Sequence, residues 1–199
     1  MPRLFSGIEL PGDVRDALTE LHQPLPSTRW LQPENLHITL RFLGDVTPPT
    51  AREFTANLAG IRFDPFPLRL VGLDTFGGDT PRVLFACVEP SAALTELARA
   101  HETAARRAGL KPENRKFWPH VTLARLQAPR IDPIARYLGR RGGFATEPFL
   151  VSQFVLFSSK PNTGGGPYVV EQAFPSAMGS FDDIEWDEDD PAHDDMRER

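Results

Sequence analysis

A chain of 199 residues, 40% hydrophobic and 25% charged, holds enough apolar sequence for a packed core and has the make-up of an ordinary globular protein. Cys87 is the only cysteine, which excludes an internal disulfide and a thiolate metal cluster. The net charge of −5 divides unevenly: from Asp182 onward ten acids face only Arg197 and Arg199, leaving residues 1–181 with 17 acids and 20 bases, a surplus of +3.

A mildly basic body suits a partner that carries phosphate, but it is too weakly charged to demand a long nucleic-acid groove. Residues 1–10 lack the apolar core and cleavage site of a signal peptide, and no apolar run approaches the roughly 18 residues of a membrane span. A cytoplasmic protein with no membrane partner is the expectation.

In chain order, residues 3–10 read as a strand ended by Pro11-Gly12. A helix is predicted from Asp13 to His22, with Val14, Ala17, Leu18 and Leu21 at helical spacing. Arg29-Trp30-Leu31 leads through a turn-like stretch into a strand over Leu36–Leu43, closed by Gly44-Asp45. Pro48 and Pro49 suit the start of a helix that covers Arg52–Leu58. Phe66–Leu73 and Arg82–Glu89 form a predicted hairpin across Gly77-Gly78-Asp79, in which Cys87 reads as a buried strand residue. Ser91 caps a helix over Ala92–Arg107 that Gly109 ends. Arg115-Lys116-Phe117-Trp118-Pro119 then delivers a second strand that begins at His120, followed by a short helix over Asp132–Leu138. Phe149–Ser158 and Tyr168–Phe174 close the pattern as strands. The order implies an α+β protein with mostly antiparallel strands and helices outside.

Two stretches repeat one another: His37-Ile38-Thr39-Leu40 and His120-Val121-Thr122-Leu123, 83 residues apart. Residues i and i+2 of a strand share a face, so each stretch offers an imidazole and a hydroxyl on one side and apolar residues on the other. An arginine and a tryptophan precede each, which implies an internal duplication. Paired histidines suit a reaction that removes one proton and donates another, because free imidazole titrates near neutral pH. A cyclic phosphodiester is a natural target: one imidazole deprotonates water, the other protonates the departing ribose oxygen, and the threonine hydroxyls hold the non-bridging oxygens. No metal-ligand spacing accompanies these strands, so neither metal nor other cofactor is expected. Strict alternation turns Arg125 away from His120 and places Arg41 on the His37 side as a rival phosphate partner. Trp30, Phe117 and Trp118 either stack a nucleobase or pack the core. His22, His101 and His193 carry no motif.

The segment from Arg29 to Gly44, with Leu36-His37-Ile38-Thr39-Leu40-Arg41-Phe42-Leu43-Gly44 at its centre, resembles the first signature of the RNA 2′,3′-cyclic phosphodiesterases. These are LigT-like (ThpR-type) members of the two-histidine phosphoesterase superfamily. Pro119-His120-Val121-Thr122-Leu123-Ala124-Arg125 resembles the second signature, and the stretch from Ser158-Ser159-Lys160 to Gly166-Pro167-Tyr168 resembles the closing hairpin. The resemblance implies a bilobal α+β fold with pseudo-two-fold duplication and a central cleft. The resemblance runs from about residue 3 to Pro175, so residues 1–178 are expected to form one domain of two interleaved lobes, one motif each; the acidic stretch 179–199, almost without apolar residues, reads as a disordered tail. The resemblance also implies an enzyme that opens 2′,3′-cyclic phosphate ends of RNA, tRNA fragments among them, to 2′-phosphate ends, with 2′–5′ ligation as a further activity; a monomer is the expectation. By the same analogy His37 donates the proton, His120 accepts one, and Thr39, Thr122 and Arg125 bind substrate; the residues alone leave the acid and base labels open. Rival readings are a phosphodiesterase for small cyclic nucleotides or 2′–5′ linkages, and a non-catalytic protein that binds RNA ends.

Overall fold

A computed structural model describes residues 3–127, 131–159 and 167–177. The expected acidic tail, His193 and most of the closing hairpin's turn lie outside the described residues. Among the described residues ten strands and four helices follow in order: β1 (Arg3–Glu9), α1 (Gly12–Thr19), β2 (Thr28–Trp30), β3 (His37–Asp45), α2 (Pro48–Ala59), β4 (Phe66–Leu68), β5 (Leu70–Phe76), β6 (Val83–Val88), α3 (Ala92–Arg107), β7 (His120–Leu126), α4 (Ile131–Arg141), β8 (Phe149–Val151), β9 (Gln153–Ser159) and β10 (Tyr168–Pro175).

Local chemistry sets the helix ends. Ser91 Oγ accepts from the Leu94 N–H at 3.2 Å to start α3, and Gly109 leaves it with φ +81°. Thr47 caps α2, whose first turn holds Pro48 and Pro49 where no N–H is needed. The first helix stops at Thr19, three residues short of the predicted His22. Trp30 Nε1–H donates to the Gln23 carbonyl (3.0 Å), and the Tyr137 hydroxyl donates to the Leu21 carbonyl (3.0 Å), so tertiary partners take over there.

All strand pairs are antiparallel, in the order β10-β9-β1-β3-β7-β6-β5, with β2 also on β7. β3 meets β7 at one pair only, Ile38 with Val121, before the strands part and β2 takes the remaining edge of β7. The sheet therefore has two halves, β10-β9-β1-β3 and β5-β6-β7-β2, hinged on that pair. The first half joins strands from both ends of the described chain, and the second is built from strands between Thr28 and Leu126. Two predicted strands are each broken in the structure. Phe66–Leu68 leaves the hairpin to pair with Phe149–Val151 in a second, two-stranded sheet, because Arg69 and Leu70 donate to Thr146 instead of continuing one ladder. Arg29-Trp30, read as an approach segment, is strand β2.

One face of the sheet is apolar and buried. Ile38, Leu40, Val121 and Leu123 there join Leu18, Phe54, Leu58, Leu94 and Tyr137 from the four helices in one core. A smaller cluster of Phe5, Val155 and Phe157, with Tyr168 against it, lies on the opposite face, the one that carries His37.

Gly7 stands opposite Thr39, and a Cβ there would lie 2.5 Å from the Ile38 carbonyl oxygen and 3.3 Å from the Phe157 ring. Backbone cannot yield as a side chain does, so Gly7→Ala is expected to lose about 1–3 kcal/mol, by overpacking. Urea denaturation checks this, and unchanged stability would contradict the close approach.

Candidate active site

The single pair Ile38–Val121 determines how the two motifs meet. Continuing that antiparallel register by one residue places His37 across from Thr122 and Thr39 across from His120, all on the face opposite the core. The imidazoles occupy one diagonal of this quartet and the hydroxyls the other. Diagonal neighbours of this kind lie about 7–8 Å apart, with their Cβ atoms somewhat closer, room for one phosphate between the rings.

Each ring is oriented by a backbone carbonyl two residues earlier. His37 Nδ1–H donates to the Asn35 carbonyl (2.8 Å), and His120 Nδ1–H donates to the Trp118 carbonyl (2.7 Å). A carbonyl only accepts, so Nδ1 carries the proton in both rings and Nε2 is the nitrogen left to act. Thr39 Oγ1 lies 3.1 Å from His37 Nε2 and donates to it while the ring is neutral. Behind each imidazole stands a stacked pair of phenylalanines from the next two strands. Phe5 and Phe157 are 4.8 Å apart and lie 4.8 and 5.4 Å from His37. Phe76 and Phe85 are 4.1 Å apart and lie 4.9 and 5.2 Å from His120. Tyr168 adds an edge-on ring 5.1 Å from His37, its N–H held by buried Asn35 Oδ1 (3.0 Å). These apolar walls explain the electrostatics. Burial pushes His37 down to about 4, against the Asn35 hydrogen bond that favours its charged form, and charge on His120 lowers it further. Burial also lowers His120, against the Trp118 carbonyl. Both rings are neutral at neutral pH, and an anion between them would favour their charging.

A bulge occurs at the same place in both motif strands, and it corrects the alternation argument. Gly7 pairs with Thr39 but Ser6 with Arg41, so Leu40 is the extra residue; Phe85 pairs with Thr122 but Leu84 with Ala124, so Leu123 is. Beyond each bulge the faces exchange. Arg41 therefore turns to the helix side, where its Nε makes a 2.7 Å ion pair with Glu102 and its NH2 group donates to the Lys111 carbonyl (2.7 Å). It does not reach the cleft as expected. Arg125 turns into the cleft and hydrogen-bonds the Tyr168 hydroxyl, opposing the burial that raises that phenol. The first repeat has Phe42, 46% exposed, in the place Arg125 takes in the second.

Other expectations sort cleanly. Cys87 is half-buried on the cleft face directly opposite His120, not in the core, and its thiol is pushed up by burial and by Asp74. Trp30 packs inward against His22 (4.5 Å) and Tyr137 (6.0 Å), and Phe117 leans on the core, while Trp118 is exposed. His101 is buried on α3, 2.7 Å from Ser6 Oγ, beneath the sheet and away from the cleft. The phenylalanine pairs, Asn35 and Tyr168 had no place in the motif reading, since only strand pairing brings them to the histidines.

A profile of the LigT like Phosphoesterase family matches the chain twice, over residues 8–85 and 86–168. The chain belongs to the LigT-like phosphoesterase family. An RNA 2′,3′-cyclic phosphodiesterase of Aeropyrum pernix is 39% identical over 134 residues, 65% of this chain and 73% of its own. One from Thermus thermophilus is 34% identical over 189 residues, 86% of this chain and 89% of its own. Among solved structures, E. coli LigT complexed with 3′-AMP aligns with TM-score 0.72 at 28% identity, over 89% of this chain and 99% of that one. A protein of Thermus thermophilus aligns with TM-score 0.71 at 28% identity, over 87% of this chain and 97% of that one. The two profile copies meet inside β6, so each half of this LigT-like sheet is assembled from both copies. No helix among the described residues is long and apolar enough to cross a membrane.

Burial lowers His37 and His101 from the usual 6.5 to about 4 and about 3, so the unfolded chain binds more protons than the folded one as pH drops below 6.5. Stability from these groups is complete above 6.5 and is lost as pH falls toward 4. Urea titrations are expected to give unfolding free energies that decline between pH 7 and pH 4.5, less steeply in His37→Gln. A flat profile would contradict the buried, neutral imidazoles.

Proposed function

We propose that this LigT-like phosphoesterase hydrolyses the 2′,3′-cyclic phosphate end of an RNA to a 2′-phosphate end, with its two histidines as acid and base. The observation that carries this reading is the diagonal quartet, in which two imidazoles oriented through Nδ1 by backbone carbonyls occupy one diagonal, with Nε2 left for chemistry and Thr39 Oγ1 on that of His37, and two hydroxyls occupy the other. The activity of the Aeropyrum pernix and Thermus thermophilus relatives, as their names state it, and the 3′-AMP complex of E. coli LigT support the substrate class.

The cyclic phosphate sits among Thr39, Thr122 and the two imidazoles. His120 Nε2 takes a proton from water as the water oxygen bonds to phosphorus. The bond from phosphorus to the 3′ oxygen breaks, and His37 Nε2 gives its proton to that oxygen. The sum is addition of one water, leaving a 2′-phosphate and a 3′ hydroxyl. The roles follow the family resemblance, and the phosphate anion supplies the stabilisation that a protonated His37 lacks in its apolar wall. The threonine hydroxyls and the Arg125 guanidinium hydrogen-bond the charge that builds on the non-bridging oxygens. A 5′ hydroxyl in place of water would give a 2′–5′ junction by the same steps.

Incubation of an oligonucleotide ending in a 2′,3′-cyclic phosphate, in excess chelator, tests the proposal. The wild type is expected to yield a 2′-phosphate end, and His37→Ala and His120→Ala to lose about 10²–10⁴-fold in kcat. A 3′-phosphate product would overturn the assigned polarity. Undiminished turnover in either variant would overturn the mechanism, and binding without turnover by the wild type would favour an end-binding protein.

The pH profile supplies a second test. Activity needs one neutral and one protonated imidazole, so kcat/KM should be bell-shaped with both limbs below the 6.5 of free imidazole, given His37 near 4 and a lowered His120. In the kcat profile, which reports the substrate complex, the alkaline limb should move to higher pH as phosphate raises the acid. An alkaline limb at the same pH in both profiles would contradict that coupling.

A further inference from the structure

The strand β2 was not expected, and it brings a second arginine to the cleft. Its register on β7 is Thr28 with Leu126, Arg29 with Arg125, and Trp30 with Ala124. Directly opposed residues of an antiparallel pair share a face, and Arg125 lies on the cleft face, so Arg29 does too. The flanking residues fix this. Trp30 is anchored on the opposite face by His22, Tyr137 and the Gln23 carbonyl, and the strand is pinned at its ends by Leu31 N–H to Leu123 (2.8 Å) and Gln127 N–H to Ser27 (2.9 Å). Arg29 cannot turn inward without breaking these contacts.

Two like charges directly opposed on a sheet repel and cost stability unless an anion lies between them. Neither arginine forms an ion pair with an acid among the described residues, whereas Arg115, its counterpart before the second motif, is held by Glu113 at 3.0 Å. Arg125 reaches across to Tyr168 on the His37 side, which leaves Arg29 exposed at the outer end of the row. From Thr122 to Arg125 the chain takes three residues, one of them absorbed by the bulge, so the arginine row lies about two strand steps or ~7 Å beyond the quartet. That displacement is on the scale of one nucleotide.

We infer that Arg29 binds the phosphodiester immediately upstream of the terminal cyclic phosphate, and so lets the enzyme prefer an RNA end over a mononucleotide. This rests on the catalytic reading above for the position of the terminal phosphate. Arg29 touches no reacting atom. It acts on affinity for the chain that leads into the site, while the quartet handles the bond that breaks.

The test compares a nucleoside 2′,3′-cyclic phosphate, which has no upstream phosphate, with a short oligonucleotide of the same terminal nucleotide. Wild type, Arg29→Gln and Arg29→Lys are each assayed on both. Arg29→Gln is expected to raise KM for the oligonucleotide about tenfold with kcat unchanged, in line with loss of one charge-assisted hydrogen bond. It should leave the mononucleotide kinetics unaltered, and Lys should restore most of the loss. The dependence of log KM on log salt for the oligonucleotide should fall by about 0.7, as expected when one contact to a single-stranded phosphate is removed. Equal losses on both substrates would overturn the inference and make Arg29 a support for Arg125; an unchanged oligonucleotide KM would also overturn it. Fluorescence anisotropy with a labelled oligonucleotide ending in a 2′-phosphate gives a reading independent of turnover. If the wild type cleaves neither substrate, the catalytic reading fails, and the inference about Arg29 stands or falls on whether Arg29→Gln weakens this binding.

Discussion

One backbone pair, Ile38 with Val121, holds the two halves of the sheet together, and the chemistry depends on where that pair falls. Because side chains alternate, a one-residue slip of either strand across the seam would turn that strand's histidine under the helices and bring its apolar residue, Ile38 or Val121, into the cleft. The register is safe because Ile38 and Val121 are fully buried in a core that all four helices share. Packing energy on one side of the sheet thus positions polar groups on the other. The paired histidines and threonines need no contacts of their own to hold the halves in place.

The site built on this seam is symmetric in plan and asymmetric in detail. Each imidazole has a carbonyl at Nδ1 and two phenylalanines behind it, so the shared scaffold makes both rings neutral and oriented. What differs is added around that scaffold: Tyr168 over His37, Phe42 against Arg125, and a strand, β2, that occupies the edge of only one motif strand. A reaction with distinct entering and leaving groups needs such differences. They arise at positions where the two repeats carry different residues, not from a different fold.

Much of this could be read from residues alone, and what could not has a physical cause. The His-x-Thr pairs, the capped helix at Ser91 and the antiparallel α+β layout follow from spacing, side-chain periodicity and cap chemistry, all local. Arg41 and Arg125 were placed on the wrong faces by the same alternation rule, because a bulge is set by the neighbouring strand and leaves no mark in Leu40-Arg41 or Leu123-Ala124. The aromatic walls were hidden for a similar reason: Phe5 and Phe157 are neighbours only through a strand pairing that spans most of the chain. Arg29-Trp30 is too short to announce a strand, and it becomes one because β3 leaves the edge of β7 open.

That long-range pairing also bears on how the protein comes into being. During synthesis β1 finds β3 within a few dozen residues, but its other edge waits for β9, and the Phe157 and Tyr168 rings that enclose His37 arrive with the last described strands. Until then an apolar strand edge is open to mispairing, and the histidine is solvated and ordinarily basic. A nascent or truncated chain would carry both motifs and still lack the environment that makes one of them work. The proposed catalytic centre is finished last, so on that proposal competence for chemistry coincides with completion of the fold.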